Sequence, residues 1–156
     1  MTAAKHQTSG AGSAGGGRGR DDERRPISIA AVIDVVGALA TGALHRNLYL
    51  YDTGKAAGST GHGTEQLRTV VRAGDQLLWS AIPLECEAYL AIDTVEIDPS
   101  VCEPIRKIYP GTDITYWTGT VKKDAIPATP YRIAFLLGSR TEPMVTELSP
   151  LLTGER

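Results

Sequence analysis

Apolar and polar residues alternate at every second position through most of the chain after Pro26. A period of two is typical of strands that have one buried and one exposed face. The pattern is clearest in residues 64–83, where two alternating arms are separated by Ala73, Gly74 and Asp75. A Gly-Asp turn between two such arms predicts a β-hairpin. We expect the rest of the chain to be organised around it.

Further strands are predicted wherever alternation or a β-branched apolar run recurs. In residues 47–52, Leu48 and Leu50 share one side while Tyr49 and Tyr51 share the other. Pro99, Pro104 and Pro110 predict a connection with little regular structure, because proline cannot donate to a sheet ladder. The predicted strands outside the hairpin are residues 27–36, 47–52, 86–97, 116–122, 131–137 and 144–152.

No long amphipathic helix is predicted. Gly37 and Gly42 reduce residues 37–46 to a short helix-like turn or loop. Short strands without long helices are typical of an all-β fold, and we predict an antiparallel β-sandwich of about 7–8 strands. Residues 27–156 would form this single domain, preceded by a disordered leader at residues 1–26 that is rich in Gly, Ser and Arg.

The charge balance argues against nucleic acid as a partner. The formal net charge is -2, whereas nucleic-acid-binding surfaces are usually strongly basic. The leader could act as a basic arm through its arginines, but Asp21, Asp22 and Glu23 interrupt them and favour a solvated tail. The sequence has no signal peptide and no run of 18 apolar residues, so we expect a cytoplasmic protein that does not enter membranes.

The chain carries no signature of catalysis. A Gly-x-Ser-x-Gly motif and a Cys/His signature are both absent, and we expect a non-enzymatic protein. Residues 58–63 are rich in glycine, but no helix is predicted after them, which favours a flexible loop over a phosphate site. His45 and His62 are predicted to be surface residues, and Cys86 and Cys102 to be buried, reduced thiols.

Cofactors are not expected. Residues 71–79 resemble a hairpin of the cupredoxins, but a blue-copper site needs one Cys and two His, and Cys102 has no nearby His. Calcium is conceivable if Asp34, Asp52 and Asp113 converge, although their spacing does not support it. For Asp34 we prefer a structural role as a hydrogen-bond anchor for the turn that follows it.

Aromatic residues beside polar loops are the best candidates for ligand contact. Trp79 lies within an alternating arm and is predicted to be core. Tyr116 and Trp117 begin a strand directly after a turn, so one of the two rings is expected to point outward. An exposed ring beside carboxylates suits sugar stacking or a protein interface. The alternative is that both rings complete the core.

Several segments together resemble the AidA/PixA inclusion body protein family. The similarity covers nearly all of residues 27–152 and includes residues 29–52, 63–79, 101–104, 116–121 and 131–137. One departure is Ser149-Pro150, where the relatives have an Asp-Pro pair, so a carboxylate role at that position is not expected here. The resemblance implies a bacterial, self-associating β-sandwich that can deposit as intracellular inclusions, with a lectin-like activity associated with the group.

The sequence therefore predicts a homo-oligomeric binding module, a homodimer or a larger assembly, with a glycan or small molecule as a further partner. The predicted ligand-binding residues are Asn47, Asp52, Asp113 and Trp117, in which carboxylates and amide form hydrogen bonds and the ring stacks. The alternative is a structural or storage protein that forms inclusions by self-assembly.

Overall fold

The computed structural model of the chain describes residues 26–123 and 127–154. The predicted leader lies outside these residues except for Pro26, which opens the first strand. A single α-helix, α1 (Val35–Thr41), and a 3₁₀ turn (Lys55–Ala57) occur among the strands of the described residues. The strands are β1 (Pro26–Ile33), β2 (Leu48–Asp52), β3 (Arg68–Val71), β4 (Gln76–Pro83), β5 (Leu90–Glu96), β6 (Ile105–Ile108), β7 (Thr115–Thr120), β8 (Thr129–Pro130), β9 (Arg132–Leu137), β10 (Met144–Val145) and β11 (Leu151–Gly154).

The strands form one large sheet and two small ones, which confirms the predicted all-β class. The large sheet has the order β2-β1-β4-β7-β6, and the others have the orders β10-β9-β5 and β3-β11-β8. Two pairings are parallel, β1 with β4 and β11 with β3. Two of these sheets are therefore mixed and the β10-β9-β5 sheet is antiparallel. The described residues hold eleven strands instead of the expected 7–8. Alternation reports which face of a strand is buried and carries no information about strand direction.

All three sheets contribute buried side chains to one hydrophobic core in the described residues. Its largest fully buried side chains are Trp79, Tyr131 and Phe135, from β4, the β8–β9 junction and β9. The rings of Trp79 and Tyr131 meet edge to face, with centroids 5.9 Å apart and planes 71° apart, a favourable arrangement for aromatic quadrupoles. The predicted core position of Trp79 is confirmed.

The predicted central hairpin is wrong in its pairing. β3 and β4 flank the predicted turn, where Gly74 has a φ of 89°, but they belong to different sheets. β3 pairs with β11, and β4 lies between β1 and β7. The turn therefore connects two different sheets. Each of its arms forms hydrogen bonds with strands other than the opposite arm.

The helix α1 explains the carboxylate within the first apolar run. Asp34 is the N-cap residue, and its Oδ1 accepts a hydrogen bond from the N–H of Gly37 at 2.8 Å. This N–H, and then a hydrogen bond with the Glu85 side chain, hold the pKa of Asp34 below its ordinary value. The helix ends at Gly42, whose φ of 71° is the left-handed conformation that favours glycine. Asp34 thus anchors the segment after β1, as predicted, and that segment is a helix.

Two segments differ from the predicted strands. The proline-rich connection contains β6, which fits between Pro104 and Pro110. The predicted strand at residues 144–152 is two short strands, β10 and β11, in different sheets. Prolines outside a strand leave the ladder intact, which is why they did not exclude β6.

The cysteines occupy different environments. Cys102 is buried, as predicted, and burial raises the pKa of its thiol to about 11. Cys86 is exposed, which corrects the prediction of two buried thiols. It lies in the turn after β4, where no strand covers it.

Candidate functional site

The carboxylate of Asp52 lies at the centre of a buried polar cluster at the end of β2. Its side chain has 0% exposure and accepts hydrogen bonds from three donors. These are the N–H of Gly54 at 2.8 Å, the hydroxyl of Thr69 at 2.7 Å and Nε2 of His62 at 2.9 Å. Because Thr69 belongs to β3, the carboxylate connects the large sheet to a small one.

His62 is held by this cluster and does not behave as the surface residue that was predicted. Its side chain is 24% exposed. Tyr131 is also buried, and burial raises its pKa well above the ordinary value. The three hydrogen bonds of Asp52 therefore join the end of β2 to β3 and to the loop before β3.

Asn47 supports the loop between α1 and β2. Its amide donates to the carbonyl of Ala43 at 3.0 Å and to the hydroxyl of Thr41 at 3.1 Å. The preceding residue, Arg46, has a φ of 66°, a value that costs strain in a residue other than glycine. The side chain of Asn47 thus fixes a loop that turns sharply before β2.

Trp117 lies on β7, and Asp113 lies in the turn of the hairpin formed by β6 and β7. The indole N–H of Trp117 donates to the carbonyl of Ile92 on β5 at 3.2 Å, and the ring packs against the core. The neighbouring Tyr116 is the ring that stacks outward, against Tyr109, with centroids 4.4 Å apart. Asp113 lies in the turn of the hairpin and lines a groove of about 480 Å³.

The four predicted ligand-binding residues do not meet at one place. A row across the large sheet pairs Asp52 with Ile29, Ile29 with Trp79, and Trp79 with Trp117. Three strand spacings separate Asp52 from Trp117, about 14 Å. Asn47 and Asp52 lie at one edge of the sheet, with Trp117 and Asp113 toward the other. A ligand role for each of them stays a prediction.

The carboxylates considered for calcium are also separate. Asp34 caps α1, Asp52 ends β2, and Asp113 lies in the turn before β7. Across the described part of the chain, no group of three or more His, Cys, Asp or Glu side chains is placed to hold a metal ion. The carboxylates of Asp34 and Asp52 accept hydrogen bonds from the chain itself.

The two edges of the large sheet differ in how they are covered. At β2, the loop before β3 covers the edge: Leu50 donates its N–H to the carbonyl of Thr64 at 3.2 Å, and Gly63 donates to Leu50 at 2.7 Å. No described residue forms a corresponding bridge on the outer side of β6. An uncovered edge strand presents free N–H and C=O groups that can pair with another chain.

The uncovered edge also carries exposed apolar side chains, next to the charged Arg106 and Lys107. All residues of β6 are exposed, and four large hydrophobic side chains of the hairpin are 41–61% exposed: Ile105, Ile108, Tyr109 and Ile114. We call these four residues the hairpin patch. Sequence reasoning missed them because the surrounding prolines indicated a loop. Residues 105–108 read Ile-Arg-Lys-Ile, which does not alternate, so no period of two marked this segment as a strand.

The fold and these sites define a class of protein: a β-sandwich with a buried polar cluster inside and an uncovered sheet edge beside exposed apolar side chains outside. None of the helices described here has the length and apolar character needed to cross a membrane. The family described as "Domain of unknown function (DUF8788)" matches residues 25–142. The chain therefore belongs to this family.

The fold has a counterpart among solved structures. The crystal structure of an inclusion body protein (PixA) from Burkholderia cenocepacia J2315 matches with a TM-score of 0.59 and 12% sequence identity. The match covers 87% of this chain and 99% of that chain. It confirms the resemblance to the AidA/PixA group at the level of the fold. No curated protein matches the chain.

Proposed function

We propose that this protein is a non-enzymatic structural protein that self-associates through the hairpin patch and the outer edge of β6. The observation that carries the proposal is the contrast between the two edges of the large sheet: one is covered by a loop, and the other is open and carries the exposed hairpin patch. The likeness to a protein described as an inclusion body protein supports the same role. A cytoplasmic location, expected from the sequence, is part of the proposal.

The occupant of the patch is a second copy of the chain. An antiparallel partner strand would extend the large sheet by hydrogen bonds, and isoleucines on both copies would become buried. A symmetric antiparallel pairing of β6 with itself is centred on one residue, so Arg106 would face Arg106 of the second copy, or Lys107 would face Lys107. Like charges opposite one another oppose association, and salt screens them. Self-association should therefore strengthen when the salt concentration rises.

The test is sedimentation velocity on a concentration series of the purified protein and of the double variant Ile105→Thr/Ile108→Thr. Threonine keeps the β-branched shape that strands favour and removes apolar area. Ile105 and Ile108 are 60% and 56% exposed, so their loss from both copies should remove about 2 to 4 kcal/mol of association free energy. The dissociation constant should rise about 30- to 700-fold.

Val36→Thr is the matched control, because Val36 is 62% exposed but lies on α1. It should associate like the unmodified protein. Equal association of the double variant and the unmodified protein would contradict the role of the hairpin patch.

Carbohydrate binding is a second candidate, favoured by the composition of the groove at Asp113. Asp93 and Arg106 line the same groove, together with the exposed ring of Tyr89. A ring beside carboxylates and a guanidinium is the combination that sugar hydroxyls and sugar faces can use. We propose this groove, and not the other edge of the sheet, as the place for a glycan.

A glycan array followed by calorimetric titration would test this candidate. The variants Tyr89→Ala and Asp113→Asn should each weaken binding of a glycan that the array identifies. Absence of any saturable glycan would leave self-association as the sole proposed role.

A further inference from the structure

One face of the large sheet lies in the core, and the opposite face is open to solvent. On β1 the odd-numbered residues from Ile27 to Ile33 are buried, so the even-numbered residues lie on the other side of the sheet. The register places Val32 beside Ile82 of β4 and Tyr49 of β2. We call this side of the five strands the solvent face. Its large apolar and aromatic side chains are Val32, Tyr49, Tyr51, Leu78, Ile82 and Tyr116.

The solvent face carries almost no charge. Among the described residues of the five strands, Lys107 is the single charged residue at an outward position. The middle of the face holds small side chains, among them Ser28, Ala30 and Ser80. A sheet face that stays in water usually carries polar side chains, and burial of a charge is very costly. The scarcity of charge therefore makes this face inexpensive to remove from water.

The size of the solvent face is sufficient for a specific interface. The strand lengths and a spacing of about 4.8 Å give it an area of about 500 Å². Two such faces in contact would bury about 1,000 Å², the lower limit for a specific protein–protein interface. Exposed apolar patches of several hundred Å² mark interaction sites. Ile82 and Tyr51, which are 49% and 45% exposed, would be covered in such a contact.

We infer that the solvent face is a second self-association surface, on which two copies of the chain pack sheet on sheet. The occupant is a second copy because two uncharged faces of the same shape and area complement each other, as the inner faces of a β-sandwich do. Lys107 lies on β6, at the margin of the face, so its ammonium group can remain in water.

This inference rests on the proposed role in self-association but uses a different surface. Pairing at β6 extends the sheet through backbone hydrogen bonds, whereas the solvent face stacks one sheet on another. A two-fold axis that relates two antiparallel β6 strands is perpendicular to the sheet, so both solvent faces point to the same side. The two contacts together therefore give four copies, in which two ten-stranded sheets pack face to face.

Ile82→Lys tests the solvent face without touching the edge. Ile82 lies on β4, the central strand, and two strand spacings separate it from β6. Lysine would bring like charges from both copies into the contact, so the dissociation constant for stacking should rise at least about 30-fold. In sedimentation velocity on a concentration series, the unmodified protein should reach four copies and Ile82→Lys should stop at two.

Val145→Lys is the matched control, because Val145 is 44% exposed on a strand of a small sheet. It should assemble like the unmodified protein. Ser28→Lys is a second variant of the solvent face, at an exposed position of β1. It should act as Ile82→Lys does and decides the question if Ile82→Lys does not fold, which circular dichroism would reveal.

The number of copies separates this inference from the edge pairing. Two copies in the unmodified protein and one in Ile82→Lys would support the solvent face and contradict pairing at β6. Two copies in both proteins, or four in both, would overturn the role of the solvent face. A single copy of the unmodified protein at every concentration would overturn both contacts.

Discussion

Replacement of Asp52 by alanine tests whether the buried polar cluster is structural. The side chain is fully buried and accepts from Gly54, Thr69 and His62. Alanine would leave these donors without their acceptor and would remove a connection between two sheets. Leaving a buried donor without its acceptor costs about 1 to 3 kcal/mol, so the loss of the three bonds at Asp52 should cost about 3 to 5 kcal/mol. That is a large share of the ~5–15 kcal/mol by which a domain of ordinary stability is folded.

Urea unfolding followed by tryptophan fluorescence provides the measurement, because the indole of Trp79 lies in the core. Asp52→Asn is an informative intermediate, since its amide can bond the same neighbours without the charge, and its cost should be smaller, about 1 to 2 kcal/mol. Asp113→Ala, at an exposed turn, should change stability by no more than about 0.5 kcal/mol. A cost below about 1 kcal/mol for Asp52→Ala would refute the structural role and favour a ligand role.

Three further predictions concern single residues. An alkylating reagent at pH 8 should modify Cys86 rapidly and spare Cys102, whose raised pKa of about 11 keeps the thiolate rare; equal rates by mass spectrometry would contradict the burial. Gly61→Ala should destabilise the protein by about 1 to 3 kcal/mol in urea unfolding, because φ is +79° and a Cβ would stand 2.5 Å from the carbonyl oxygen of Gln66; a neutral effect would show that the loop is not held as described. The lowered pKa of Asp34 contributes stability that is present above pH 3.8 and is lost as the pH falls through the lowered pKa; the loss in urea midpoint from pH 7 to pH 3 should be smaller in Asp34→Asn, and an equal loss would contradict this contribution.

The sequence predicted those features that depend on local pattern. Leu48 and Leu50 are buried while Tyr51 is exposed, because alternation along a strand determines which side chains share a face. Asp34 could be assigned a role as a hydrogen-bond anchor for the following turn, because a carboxylate within an apolar run needs a nearby donor. Trp79 was expected in the core for the same local reason, its position within an alternating arm.

Features that depend on pairing could not be predicted in this way. β3 and β4 are neighbours in sequence but belong to different sheets, and nothing in their alternation identifies the partner strand. The carboxylate of Glu65 accepts a hydrogen bond from Leu148, which is 83 positions further along the chain. Asp52 was singled out from the sequence, but its burial depends on Thr69 and His62, which only the tertiary fold brings to it.

The most direct test of the central claim is amide hydrogen exchange on dilute and concentrated samples of the unmodified protein. The outer amides of β6 (Ile105–Ile108) should exchange freely when the protein is dilute and become protected as it assembles. Amides of β2 (Leu48–Asp52), the edge already covered by a loop, should change little. Protection that leaves β6 unchanged, or that appears at β2 instead, would contradict the account.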